Sequence, residues 1–188
     1  MFKEEKRQSI HILFFLGAFL LKYLNKWQAV LLILLILFII VFLLPELKVR
    51  SHVYRLNEKR YSRGAVYYFL ILLVLVIIFP LEIVAITWAI LALGDGTATL
   101  LGQHFKAREL FWNKNKTYVG SLSFVIFASL GAFILIRWMY PEISGGAAFL
   151  VGLKTALVAA VVESLPLRLN DNISVSLVSA IILSFLLS

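Results

Sequence analysis

The sequence predicts an all-α protein, a polytopic integral membrane bundle of about seven transmembrane helices, and three observations point there. Hydrophobic residues make up 62% of the 188 positions and mean hydropathy is +0.96, against roughly 45–50% apolar residues in soluble domains. These residues gather in runs of the length that crosses a bilayer, about 20 residues or somewhat fewer where charged flanks snorkel. Finally, the basic residues sort onto alternate loops. The chain reads as one membrane domain, 1–188, with no room for a second soluble one.

The seven spans fall at about 10–24, 28–44, 65–80, 82–101, 119–140, 144–163 and 172–188. The first two could form one long tilted helix, but Lys22, Asn25, Lys26 and Gln28 sit together in mid-run. A charged cluster at the bilayer centre costs several kcal/mol, so a turn is expected there. The Leu/Ile-rich run 30–44 reads as a lipid-facing helix. Pro80 and Pro141 mark further turns, and "FPLE" leaves almost no loop between the third and fourth spans. The apolar runs simply continue after the first, so no cleaved signal peptide is expected.

Loop charge sets the expected orientation. Lys3, Lys6 and Arg7 precede the first span; Lys48, Arg50, Arg55, Lys59, Arg60 and Arg63 lie in loop 45–64. Loop 102–118 carries Lys106, Arg108, Lys114 and Lys116, and loop 164–171 carries Arg168. With seven spans these fall on one side, 14 cations against the three (Lys22, Lys26, Arg137) on the other, with Lys154 inside a span. The basic side is then cytoplasmic, with the N-terminus inside and the C-terminus outside. The net charge of +8 therefore reads as loop topology and affinity for headgroups or phosphates rather than nucleic-acid binding. Zero cysteines exclude disulfides and thiolate metal sites.

The polar residues of the spans share one membrane level. Arg7 and His11 stand four apart on one helix face at the mouth of the first span. Ser62, Arg63 and Gly64 precede the third, and Asp95 and Thr99 lie near the inner end of the fourth. Asn113, Lys114, Lys116 and Thr117 lead into the fifth, followed by Gly120 and Ser121. Glu163 closes the sixth, and Asn170, Asp171 and Asn172 open the seventh.

Asp95, Glu163 and Asp171 are oxygen donors suited to Mg²⁺, a hard cation that usually keeps waters and substrate phosphates as its other ligands. Lys114, Lys116, Arg7 and Arg63 can neutralise phosphate oxygens. Gly94, Gly96, Gly102 and Gly120 let backbone approach a ligand, while Gly94, Ala98 and Gly102 also form a small-residue stripe for helix contact. Carboxylates, cations and glycines at a membrane boundary suggest phosphoryl or nucleotidyl transfer, where catalysis is mostly positioning and charge stabilisation.

Each group has a plainer reading. Cations at span ends commonly only snorkel, Arg7 and His11 fit an interfacial pair, and the glycine stripe fits packing. Lys154 calls for a structural partner, Glu82 or Glu142, or a headgroup. The chain lacks a G-x-x-x-x-G-K-[ST] loop, a protein-kinase catalytic loop and a nucleophile elbow. His11, His52 and His104 are too dispersed to be a ligand pair by spacing.

Five short motifs in order carry a resemblance. They are "RQSIH" at 7–11, "SRGAVYY" at 62–68, "LGDGTATLLG" at 93–102, "NKTYVGS" at 115–121 and "ESLPLRLNDN" at 163–172. Together they resemble the family of membrane-bound, CTP-dependent lipid kinases: dolichol, phytol and farnesol kinases and the fungal diacylglycerol kinase. These are similar in turn to phosphatidate cytidylyltransferases. The third motif is similar to Gly-Asp-x-x-Ala-x-x-x-Gly through Gly94, Asp95, Ala98 and Gly102. The fourth is similar to Lys-Ser/Thr-x-x-Gly-Ser/Thr through Lys116, Thr117, Gly120 and Ser121, and the fifth to Glu-x-x-Pro followed by Asp-Asn. The chain departs from the family pattern at Gln8, at Gln103 and His104, and at Val119.

The resemblance implies a kinase with CTP as phosphate donor and Mg²⁺ as cofactor. Its acceptor is the hydroxyl of a membrane isoprenoid alcohol of polyprenol, dolichol or phytol type, at the cytoplasmic face. Asp95 and Asp171, with Glu163, are expected to hold the metal. Lys116 and Lys114 are expected on the phosphates, helped by Thr117, Asn172, Gly94, Gly102 and backbone amides near Gly120 and Ser121. Arg7 or His11 positions acceptor or phosphate, and the base is Glu163 or Asp95. The alternatives are a diacylglycerol acceptor, nucleotidyl transfer onto a lipid phosphate, and a transporter. A transporter would place its polar groups at the bilayer midplane, where only Lys154 lies.

Overall fold

The computed structural model describes residues 2–47, 61–105 and 107–188. The loop cations Lys48, Arg50, Arg55, Lys59, Arg60 and Lys106, with His52, lie outside the described residues, as does the side chain of Lys3.

Seven helical runs follow one another among the described residues. Helix α1 covers 2–23 as Phe2–Leu13, Phe15–Ala18 and a 3₁₀ segment Phe19–Tyr23; α2 is Lys26–Glu46 and α3 is Arg63–Ile78. Helix α4 is Leu81–His104, α5 is Tyr118–Met139, α6 is Gly145–Ser164 and α7 is Asp171–Leu186. Four of these (α2, α4, α5 and α6) are long and apolar enough to cross a membrane by length and composition, and α3 and α7 are shorter apolar helices.

The polar cluster after the first run is a turn, as expected, and its chemistry explains why. Asn25 Oδ1 accepts from the Gln28 amide and Gln28 Oε1 accepts from the Asn25 amide, both at 2.9 Å. This reciprocal cap satisfies backbone donors that a helix start would otherwise leave bare. At the same end of the bundle Lys22 Nζ donates to Trp138 O at 2.5 Å and lies 4.8 Å over the Trp138 ring. Nearby, Arg137 donates to Pro141 O and Ile143 O. Pro80 starts α4 two residues after α3 ends, so these two helices are antiparallel neighbours. Thr117, Ser144 and Asn170 cap α5, α6 and α7 through their side-chain oxygens.

Helix α4 is the centre of the bundle, with 78% of its most apolar window buried against 17% for α2. It packs against α1, α3, α5 and α7, whereas α2 leans mainly on α3 and turns Leu31, Leu35, Phe38 and Phe42 outward. The small-residue stripe of α4 is a packing surface. A methyl group added at Gly94 would lie 2.9 Å from the Phe124 ring, and one at Gly120 would lie 3.0 Å from Ala98 O. Backbones can approach this closely only without a side chain between them.

Within α4, residues Ile90–Asp95 form a π-helical turn, an irregularity that often marks functional positions. The Thr97 hydroxyl donates to Leu93 O at 2.5 Å, occupying one of its carbonyls. Between α4 and α5, an isolated antiparallel bridge joins Glu109 to Thr117 and closes a tight hairpin.

Lys154 does not meet the carboxylate partners expected of it. It is exposed halfway along α6 and forms no ion pair with Glu82 or Glu142. Both carboxylates belong to the far end of the bundle, about 14 Å of helix rise from the middle of α6.

Candidate active site

The helix ends carrying the polar motifs converge on one end of the bundle. Asp95 leaves the π-helical turn of α4, Glu163 lies in the last turn of α6, and Asp171 begins α7. A carboxylate oxygen from each lies within 4.8 Å of the other two. Glu163 is only 2% exposed, and its Oε2 has no hydrogen-bond partner.

Lys116 stands among them. Its Nζ donates to Glu163 Oε1 at 2.5 Å and to Asp171 Oδ2 at 2.6 Å. Burial pulls this ammonium down, but the Glu163, Asp95 and Asp171 carboxylates outweigh burial and hold it above the usual lysine range. The hairpin fixes the lysine locally. Leu110 N–H donates to Lys116 O, while Trp112 Nε1 and Asn113 Nδ2 both donate to Ser164 O, beside Glu163.

The opposite wall comes from α1, α3 and α7. His11 Nε2 lies 3.8 Å from Asp95 Oδ2 and 3.4 Å from Leu91 O, a carbonyl of the π-helical turn. Asn172 Nδ2 donates to Gly64 O at 3.3 Å, tying α7 to the start of α3. A cavity of about 780 Å³ opens between these walls, with Arg7, His11, Arg63, Asp95, Lys116 and Asp171 on its surface. A second cavity of about 120 Å³ lies behind Lys116, lined by Gly102, Thr117, Gly120, Ser121 and Glu163 among others.

Sequence-predicted residues divide into three groups. Asp95, Glu163, Asp171, Lys116, Arg7, His11 and Asn172 meet at this site. Thr117, Gly120, Ser121 and Gly102 border the smaller cavity, but two expected donors are already engaged. The Gly120 amide donates to Thr117 Oγ1 at 3.0 Å and the Ser121 amide to Thr117 O, because Thr117 caps the helix. What remains for a ligand is the Ser121 hydroxyl, buried and without a partner. Lys114 and Gly94 border neither cavity: Lys114 is exposed at the hairpin tip and Gly94 packs on Phe124.

Reasoning from sequence overlooked Ile10, Phe14, Tyr67, Tyr68 and Asn115, which also line the larger cavity. Helical spacing held a signal for two of them. Phe14 lies seven after Arg7 and Tyr68 four after Gly64, so each shares a face with a residue already singled out.

No family model matches the chain. No solved structure matches it either. Among curated proteins, the probable chloroplastic phytol kinase of Triticum aestivum is 34% identical over 135 residues, covering 66% of this chain and 44% of that protein. Phytol kinase 1, chloroplastic, of Arabidopsis thaliana is 37% identical over 126 residues, covering 61% of this chain and 40% of its own length. The chloroplastic farnesol kinase of the same plant is 36% identical over 100 residues, 48% of this chain and 31% of that protein. The chain spans less than half the length of these curated relatives.

Proposed function

Proceeding from membership of the lipid kinase family that holds the phytol and farnesol kinases, we propose that this chain phosphorylates the hydroxyl of a membrane isoprenoid alcohol. The donor is CTP, with Mg²⁺, and the reaction runs at the cytoplasmic face of the membrane. The observation that carries this reading is the trio Asp95, Glu163 and Asp171, gathered within 4.8 Å around the Lys116 ammonium.

The donor set suits a hard divalent cation. All three groups offer carboxylate oxygen, and the buried Glu163 Oε2 lacks a partner. Asp95, Glu163 and Asp171 would hold Mg²⁺ there, and the ion would supply positive charge against the negative charge that develops during transfer. Lys116 has a flexible stem and borders both cavities, so its ammonium can reach a phosphate oxygen by side-chain rotation alone. Arg7 and Arg63 add positive charge on the opposite wall, where a triphosphate spans the cavity. Ser121 borders the smaller cavity and its hydroxyl has no partner, which makes it a further candidate donor. Of the two candidate bases, Asp95 borders the larger cavity and Glu163 the smaller. Asp95 is therefore the carboxylate within reach of a hydroxyl arriving there, with His11 beside it as a positioning group. The choice of CTP over ATP rests on the sequence resemblance.

One assay tests the reading. Purified protein in lipid nanodiscs receives Mg²⁺, γ-labelled CTP or ATP, and a panel of phytol, farnesol, polyprenols and diacylglycerol. Label in a prenyl phosphate, strongest with CTP, is expected. Label released only as pyrophosphate would mean nucleotidyl transfer, and label in diacylglycerol alone would move the acceptor to another lipid class.

A further inference from the structure

The larger cavity is two-sided. Its polar lining, drawn from both walls, holds Arg7, Arg63, Asp95, Lys116 and Asp171, whereas Ile10 and Phe14 of α1 and Ala65 and Tyr67 of α3 line an apolar flank. These two helices share no extended backbone interface. They meet through rings: His11 against Tyr68 at 4.6 Å, and Phe14 against Phe69 edge-on at 5.0 Å. The ring layer is anchored from beneath, since Trp88 Nε1 donates to the Tyr68 hydroxyl at 2.7 Å and both residues are buried. Outward of the rings, Leu13, Leu16, Tyr67, Leu70 and Val74 are exposed apolar or aromatic side chains continuing the same two helices.

From this arrangement we infer that the hydrocarbon chain of the prenyl alcohol enters and lies in the slot between α1 and α3, with Ile10, Phe14, Ala65 and Tyr67 selecting the part next to the hydroxyl. The inference rests on the alcohol-kinase reading above and adds a route and a specificity surface to it. Charge decides the orientation: the hydroxyl goes to Asp95 and Lys116, and the chain follows the apolar flank. From Arg7 to Phe14 the flank descends about 10 Å at 1.5 Å per residue. The ring layer closes it there, so a longer chain turns outward between the helices into the bilayer. The site therefore reads the first part of the chain closely and is indifferent to the length of the remainder.

The test uses the full chain in nanodiscs with a phytol analogue bearing a diazirine near its hydroxyl. Peptides 8–16 and 63–74 are expected to carry the photolabel, and excess phytol should displace it. In parallel, Ala65→Phe fills the slot and should lower kcat/KM for phytol about tenfold, the scale expected of overpacking. Stabilisation of the protein by CTP should stay within about twofold in apparent affinity, as Ala65 lies on the apolar flank and is none of the residues placed on the phosphates. Leu130→Trp, on the exposed face of α5, serves as control. Label concentrated on α5 and α6, label that phytol does not displace, or full phytol turnover by a folded Ala65→Phe variant would overturn the slot. Label on α1 and α3 without phosphoryl transfer to any alcohol would overturn the kinase reading and keep the slot.

Discussion

Replacing Lys116 by methionine removes the cation from among three carboxylates while keeping an unbranched side chain only one atom shorter. Its Nζ lies 2.5 Å from Glu163 and 2.6 Å from Asp171, whose side chains are 3% and 36% exposed. The Glu163 arm is buried and counts fully; the Asp171 arm is screened by solvent and is discounted. Breaking a buried pair by deleting one partner costs about 3–5 kcal/mol, because a charge is left behind without compensation. With one arm discounted, a loss on the order of 3 kcal/mol is expected. For a chain of this size that corresponds to a fall of roughly 6–12 °C in Tm.

The assay is thermal unfolding in detergent at neutral pH, with and without Mn²⁺. Lys116 pairs with two of the three carboxylates, so Lys116→Met should bind Mn²⁺ more tightly than the parent and recover more Tm from it. Phosphoryl transfer should nevertheless fall by at least about 100-fold, since the proposed phosphate site loses a cation. Adding Glu163→Gln to Lys116→Met should restore much of the lost stability, because the orphaned charge goes with it. A Lys116→Met variant that melts within about 2 °C of the parent and gains nothing from Mn²⁺ would refute the reasoning.

Four further outcomes follow from the same geometry. Asp95→Asn keeps the size of the side chain but removes its charge. It should abolish lipid phosphorylation with an unchanged circular dichroism spectrum and elution profile, and near-normal turnover by the purified variant would remove Asp95 from the reaction. Gly120→Ala sets a methyl group 3.0 Å from Ala98 O; overpacking should cost about 1–3 kcal/mol, read as a lowered melting temperature. Asn25→Ala deletes the Asn25 Oδ1 acceptor of the reciprocal cap between α1 and α2, leaving the bond from its backbone amide to Gln28 Oε1, and should cost about 1 kcal/mol, with activity at permissive temperature retained. The carboxylates hold Lys116 above its usual range, so its pairing stabilises the protein below the unfolded lysine pKa of about 10.4 and is lost only as pH rises through the higher folded value. Nucleotide KM should therefore show no lysine titration between about pH 7 and 9, and a midpoint in that window that Lys116→Arg abolishes would contradict the assignment.

The sequence by itself determined the class of the protein, its seven-run helical order and the end of the bundle at which each polar group lies. Depth is encoded locally: a residue's distance from the end of an apolar run is its distance from the bilayer surface, at 1.5 Å per residue. That is why Asp95, Lys116, Glu163 and Asp171 could be set at one level without coordinates, and why the cluster from Lys22 to Gln28 read as a turn. Only the tertiary structure decided which groups at that level face one another. Direction around a helix axis depends on packing against neighbours many residues away, such as Gly120 of α5 against Ala98 of α4 and Asn172 of α7 against Gly64. Lys114 and Lys116 are two residues apart at the same depth, yet the hairpin turns one into the carboxylates and leaves the other in solvent. The engaged amides of Gly120 and Ser121 and the ring layer of His11, Phe14, Tyr68 and Phe69 belong to the same kind of information. Each depends on what a distant or capping residue does with a hydrogen bond or a face, which no single stretch of sequence encodes.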